Sequence, residues 1–118
     1  MIYPIEIIKE KIGKEHLKKF LDKPFKEVVK FVIDIELEII AFGGELHSDA
    51  QELLIEEGSN ARNLWGGNIF LPKNGKAVIE YSSLINIKPS QNSFSVDIKN
   101  KNIIKKTEKV LKNLITDL

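Results

Sequence analysis

The sequence predicts a single α+β domain in which helices pack on a mostly antiparallel sheet. Three patterns support this class. Residues 28–36 alternate between two sets of side chains, the period of a strand with one face in a core. The dipeptide Asn74-Gly75 favours a tight hairpin turn between two strands. The apolar positions of residues 100–118 recur at helical spacing, which predicts an amphipathic helix.

Length and composition narrow the class of protein. With 118 residues the chain has room for one hydrophobic core, so residues 1–118 are interpreted as one domain. The formal net charge of +1 gives no strong attraction to nucleic acid or to an acidic membrane. The absence of cysteine excludes disulfides and thiolate metal sites. No secretion signal or membrane-spanning run is recognisable, which favours a cytoplasmic location.

The first half of the chain begins with a short strand at Ile5–Ile8, because β-branched residues dominate there; the start of a helix is the alternative. A short amphipathic helix follows Gly13 and ends at Pro24. Its apolar face consists of Leu17, Phe20 and Leu21.

A first hairpin is predicted from the strands Val28–Glu36 and Ile39–Gly43. A two-residue turn at Leu37-Glu38 sets Ile35 opposite Ile40. A single bent strand is the alternative, because Leu-Glu is a poor turn sequence. The hairpin brings four apolar residues to one face: Ile33, Ile35, Ile40 and Phe42.

The helix Asp49–Glu57 is predicted from its two ends. Ser48 has the character of an N-cap, and Gln51 completes a capping box with it. Asp49 complements the helix dipole. Gly58 supplies the left-handed residue that stops the helix.

A second hairpin follows, with Gly66-Gly67 marking a bulge or a close backbone approach in the strand Leu64–Leu71. The Asn74-Gly75 turn pairs Phe70 with Ile79, and the returning strand runs from Ala77 to Lys88. The loop at 90–97 has Phe94 as its large anchor, and the last helix begins near Asn100. The predicted element order is β, α, β, β, α, β, β, α.

The loop Gly43–Asp49 is the first candidate site. His47 lies between Glu45 and Asp49, so the three are candidates for metal ligation or for a base oriented by a carboxylate. Gly43 and Gly44 before a helix resemble an anion-binding turn. The structural alternative is that the glycines and Asp49 serve only the strand exit and the helix start.

A second group of polar residues suits hydrogen bonding to a polar ligand, or a structured turn. Trp65 is either a ligand platform or a core residue. The candidates for ligand binding beyond the first loop are Trp65, Asn68, Asn86, Lys88, Ser90 and Gln91.

Several of these blocks resemble a family of short prokaryotic proteins catalogued as a domain of unknown function. The matching blocks include Gly43-Gly44-Glu45-Leu46-His47, Leu64-Trp65-Gly66, Asn68 and Asn86-Ile87-Lys88-Pro89-Ser90-Gln91. The resemblance is close over Phe25 to Gln91 and implies that these blocks are the family's signature. It implies no activity, metal or cofactor. Lys88 stands where the family pattern has Arg, and residues 92–95 replace a more basic loop, which weakens the expectation of anion binding there.

Together these observations predict binding of a small polar ligand or a protein partner, in one site formed by Gly43–Asp49 and Asn86–Gln91. One alternative is a hydrolase that uses His47 as a base or metal ligand. The other alternative is a homo-oligomer built through an exposed apolar face at Val32, Ile39 and Leu84.

Overall fold

The computed structural model describes residues 3–23, 25–73 and 75–118. Its strands are β1 (Ile5–Ile8), β2 (Ile12–Gly13), β3 (Val28–Asp34), β4 (Ile39–Gly43), β5 (Leu64–Phe70), β6 (Val78–Glu80) and β7 (Ile115–Thr116). Its α-helices are α1 (His47–Glu56) and α2 (Lys101–Leu114), and 3₁₀ helices lie at Lys14–Phe20, Ala61–Asn63, Leu84–Asn86 and Pro89–Gln91. The predicted α+β class is confirmed, and so is the mostly antiparallel sheet with helices packed on it.

The domain consists of a sheet with helices on both faces. Five strands pair antiparallel in the order β1-β4-β3-β5-β6. Helix α1 covers one face, where its Ala50 and Leu54 pack on Val32, Ala41 and Leu64. The 3₁₀ helix Lys14–Phe20 and helix α2 cover the other face, which holds the larger core. That core includes Leu17, Phe20, Phe31, Ile33, Phe42, Val110 and Leu111.

The first hairpin has the predicted faces but a different register. Ile33, and not Ile35, lies opposite Ile40, so the turn spans four residues, 35–38. The predicted register was therefore wrong by two residues, and a shift of two keeps each side chain on its original face. The cause is Asp34, which is fully buried. Its Oδ1 accepts hydrogen bonds from the backbone N–H groups of Glu36 and Leu37, which closes the wider turn.

The second hairpin differs by one residue from the prediction. Phe70 lies opposite Val78 instead of Ile79. The predicted turn includes Asn74, which lies outside the described residues. The returning strand ends at Glu80 instead of continuing to Lys88, because Ser83 accepts a hydrogen bond from the N–H of Ile85 and starts a 3₁₀ turn.

Helix α1 begins two residues earlier than predicted. Its N-cap is Leu46, which makes no side-chain cap, and Ser48 lies inside the first turn, so the capping-box prediction was wrong. Its C-terminal stop is confirmed. Gly58 has φ +111°, and the N–H groups of Gly58 and Ser59 bond back to the carbonyls of Ile55 and Leu54, a Schellman motif.

Other predictions also needed correction. The helix after Gly13 is a 3₁₀ helix, whose buried Leu17 and Phe20 are three residues apart as that geometry requires. Val32 is buried under α1, so it is not part of an exposed apolar face. Phe94 was expected to anchor the loop at 90–97, but its side chain is 71% exposed. The final helix starts as predicted but ends at Leu114, and β7 then pairs in parallel with β2. None of the helices in the described ranges combines the length and apolar character needed to cross a membrane.

Candidate functional site

A cleft of about 410 Å³ opens where α1 stops covering its face of the sheet. Lys30 of β3 pairs with Asn68 of β5, and Asn68 pairs with Glu80 of β6, so three polar side chains cross the sheet in one row. Alternation along β3 places Lys30 on the same face as Val32, which α1 covers. The cleft is lined by charged, polar and apolar side chains, among them Lys30, Leu46, His47, Ser48, Asn68 and Leu84.

Gly66 allows the His47 ring to lie directly on strand β5. A Cβ at this position would stand 3.2 Å from Cδ2 of His47 and 2.8 Å from Cβ of Ser83. The ring is fixed by a 2.7 Å contact between its Nε2 and the carbonyl oxygen of Gly67. Because a carbonyl oxygen only accepts, Nε2 carries the proton. The strand glycines therefore mark the close approach that the sequence suggested.

The environment keeps His47 neutral. Burial lowers the pKa of His47 to about 4, and the positive charge of Lys30 acts in the same direction. The hydrogen bond to Gly67 and the nearby Asn68 side chain oppose this effect on the pKa. At neutral pH the ring is thus an imidazole with its proton on Nε2, and Nδ1 is left as a hydrogen-bond acceptor.

Lys30 brings a positive charge to the cleft, and Asn68 beside it has a side-chain oxygen that is buried from solvent. Burial lowers the pKa of Lys30, and Glu80 partly opposes that shift. The Lys30 ammonium lies 5.0 Å from the centre of the Phe25 ring and makes no ion pair or hydrogen bond with the described residues. Asn68 Nδ2 donates to Glu80 at 3.0 Å, whereas its buried Oδ1 has no partner among the described residues.

The remaining candidates of the Gly43–Asp49 loop have local structural roles. Glu45 is exposed and Asp49 is partly exposed, and neither lines the cleft or bonds to the His47 ring within the described ranges. Gly43 and Gly44 have φ of +101° and +84°, and the Gly44 N–H donates to the carbonyl of Pro4. These glycines turn the chain from β4 toward α1. No group of three His, Asp or Glu residues suited to a metal occurs in the described parts of the chain.

Trp65 and Lys88 lie away from the His47 cleft. Trp65 is 3% exposed and points to the opposite face from its neighbours Leu64 and Gly66, since successive strand residues alternate. The Lys88 ammonium lies 5.2 Å from the centre of the Trp65 ring and donates to the carbonyl of Ala61. In the sheet Trp65 lies opposite Ile33 of the first hairpin, and its side chain is a buried core residue.

The other polar residues of Asn86–Gln91 also serve the fold. Gln91 donates to the carbonyl of Arg62 and shares with Trp65 a separate cavity of about 270 Å³, while Ser90 is exposed. Asn86 is fully buried, and its side-chain amide bonds to backbone groups of Gly66 and Val96. The single predicted site is therefore divided, and only Asn68 joins His47.

The model of a family described as "Protein of unknown function (DUF5674)" matches residues 6–114. The chain belongs to this family. The match covers both faces of the sheet and all of the His47 cleft, and it confirms the resemblance inferred from the sequence blocks. No curated protein and no solved structure matches this DUF5674 chain significantly.

Lys30 of the DUF5674 chain was not predicted as a site residue. The only signal was a lysine at a position between apolar neighbours in a predicted strand. Placing it beside Asn68 requires the register between β3 and β5, which are separated by α1 and were not expected to pair in any particular order. Leu84 was also missed as a cleft residue, whereas Leu46 lies within the predicted loop Gly43–Asp49.

Proposed function

We propose that this domain binds a small polar molecule with an anionic group in the cleft between His47 and Lys30. The observation that carries the proposal is the Lys30 ammonium, which is half-buried and makes no ion pair among the described residues, although it lines a cleft large enough for a small molecule. A partly desolvated cation without an opposite charge beside it can bind an anionic group strongly, because water screens the interaction less there than at an open surface.

The shape of the cleft supports a small ligand. Its volume of about 410 Å³ lies near the lower end of the range of small-molecule sites. The N-terminal turn of α1, without a side-chain cap at Leu46, borders the same space and adds to the preference for negative charge.

Recognition accounts for His47 better than hydrolysis does. A general base needs a free nitrogen directed at the substrate and usually a carboxylate that orients the ring. Here Nε2–H is donated to Gly67 and Nδ1 is free, but a pKa of about 4 makes the ring a weak base, and neither Glu45 nor Asp49 bonds to it within the described residues. The ring is held by the backbone, which suits a rigid wall of a binding site.

The test is an NMR titration of the protein with sodium acetate and with inorganic phosphate, at constant ionic strength. We expect saturable shifts at the amides of residues 46–48 and 68, and weakening of acetate binding by about tenfold or more in K30M, because a charge-assisted hydrogen bond is lost.

Lys88→Met is the matched control. Lys88 is also half-buried, burial also lowers its pKa, and it also lies over an aromatic ring, yet it does not line the cleft. We expect K88M to bind both anions as the natural sequence does. Equal weakening in K30M and K88M, or no saturable shift with either anion, would refute the proposal.

A further inference from the structure

The proposed binding cleft has a charged end and an apolar end. Lys30 lies opposite Asn68 of β5, which places the positive charge at one end. Two residues earlier on the same strand, Gly66 lies against Ser83, the residue before Leu84. Two residues of an extended strand span about 7 Å. The strand positions that carry the two ends are therefore separated by the length of a short hydrocarbon chain.

The apolar end consists of side chains that water still reaches. Leu84 is 77% exposed and Leu46 is 57% exposed, and both line the cleft. Ile85 and Val96 line it as well and are partly buried. A hydrocarbon group in the cleft would remove apolar surface of these residues from water, which stabilises a complex in proportion to the area covered.

The charged end suits a carboxylate better than a phosphate. Lys30 is the one lysine or arginine among the described residues that line this cavity. The Glu80 carboxylate acts on Lys30 without lining the cleft, and it would repel a doubly charged phosphate more strongly than a singly charged carboxylate. The hydroxyls of Ser48, Ser82 and Ser83 line the same cavity and can donate to carboxylate oxygens.

We infer that the ligand is a short-chain aliphatic carboxylic acid; this inference rests on the function proposed above. The carboxylate binds the Lys30 ammonium, and the hydrocarbon chain extends toward Leu46 and Leu84. The cleft volume of about 410 Å³ limits the length of that chain.

The experiment measures how affinity depends on the chain and on the head group. Acetate, butanoate, hexanoate and hexyl phosphate are titrated into the protein at constant ionic strength and followed by NMR. We expect affinity for the three acids to rise by about two- to fourfold for each added methylene group, because each one enters an apolar space. Hexyl phosphate, with the same chain as hexanoate, should bind more weakly than hexanoate.

Three variants test where the chain lies. Leu84→Ala and Leu46→Ala should each weaken hexanoate binding by about threefold or more and leave acetate binding unchanged, which also verifies that these proteins are folded. Leu37→Ala is the matched control. Leu37 is 55% exposed, lies in the turn 35–38 and does not line the cleft, so this variant should bind hexanoate as the natural sequence does.

The outcomes distinguish the two proposals. Equal affinity for acetate, butanoate and hexanoate would overturn the inferred ligand class and leave anion binding at Lys30 standing. Equal weakening of hexanoate in L84A and L37A, or tighter binding of hexyl phosphate than of hexanoate, would also overturn it. The absence of saturable shifts with all three acids and with inorganic phosphate would overturn both proposals.

Discussion

Asn86 binds Gly66 as a neighbouring β-strand would. Its Oδ1 accepts from the Gly66 N–H at 2.8 Å, and its Nδ2 donates to the Gly66 carbonyl at 3.0 Å and to the Val96 carbonyl at 2.9 Å. Strand β6 ends at Glu80, so the backbone of β5 would otherwise have no partner on this side. One buried side chain thus completes the sheet beside the His47 cleft.

Replacing Asn86 with Asp should destabilise the domain by about 2 to 4 kcal/mol, because a carboxylate cannot donate to the two carbonyls and is fully buried. Urea unfolding measures the change. Asn102→Asp is the control, since Asn102 is exposed on α2 and should change the free energy of unfolding by less than about 0.5 kcal/mol. Similar effects of the two substitutions would contradict the role given to Asn86.

Gly66→Ala should destabilise the domain and displace the His47 ring. The new methyl group would meet Ser83 at 2.8 Å and His47 at 3.2 Å, so both must move, at a cost of about 1 to 3 kcal/mol. Unfolding in urea and the shifts of the His47 ring protons report the two effects. In Gly13→Ala the methyl would meet only Thr116 Oγ1 at 3.7 Å, and we expect no loss. A Gly66→Ala protein with unchanged His47 signals would exclude the close contact.

The neutral state of His47 should make stability depend on pH. The folded pKa of about 4 lies below the usual value of 6.5, so protonation favours the unfolded chain. This contribution is fully present above about pH 6.5 and is lost as the pH falls toward 4. Urea unfolding at pH 7 and pH 4.5 should differ by about 2 to 3 kcal/mol from this residue. His47→Gln removes that part of the pH dependence, and an unchanged difference in His47→Gln would disprove the assignment.

Asp34 should contribute to stability through acceptance of hydrogen bonds. Oδ1 accepts from Glu36 and Leu37, and Oδ2 accepts from the hydroxyl of Ser59 at 2.7 Å. Asp34→Ala leaves these donors unpaired near a buried position and should cost about 2 to 4 kcal/mol. Asp34→Asn keeps one carbonyl oxygen for the turn, and its amide can donate to Ser59, so its cost should be less than half as large. Equal costs measured by urea unfolding would mean that charge, and not hydrogen bonding, is what matters at Asp34.

The class and most element positions could be predicted because they depend on local pattern. The alternation from Val29 to Ile35 identified the faces of β3, and Gly58 identified the end of α1. The registers could not be predicted in the same way, because they depend on where single polar side chains find partners after folding. Asp34 widened one turn, and the bonds of Asn86 to Gly66 replaced the end of a predicted strand.

The candidate site was predictable only where it depends on local sequence. His47 stood out in a short glycine-led segment, and Asn68 belonged to a recognisable block. Lys30 becomes a neighbour of Asn68 only through the long-range pairing of β3 with β5. Lys88 was predicted to bind a ligand together with the His47 loop. It lies over the ring of Trp65, however, and the alternation of β5 places Trp65 on the other face of the sheet.

The pairing of β7 with β2 has a consequence for folding kinetics. Thr116 Oγ1 donates to the carbonyl of Ile12, a contact between residues 104 positions apart. Bringing such distant segments together costs chain entropy that two residue pairs alone do not offset, so this ladder forms after the central sheet has brought them close. It is also where native opening should begin, and its amide hydrogens should exchange with solvent faster than those of β3 while the sheet remains closed.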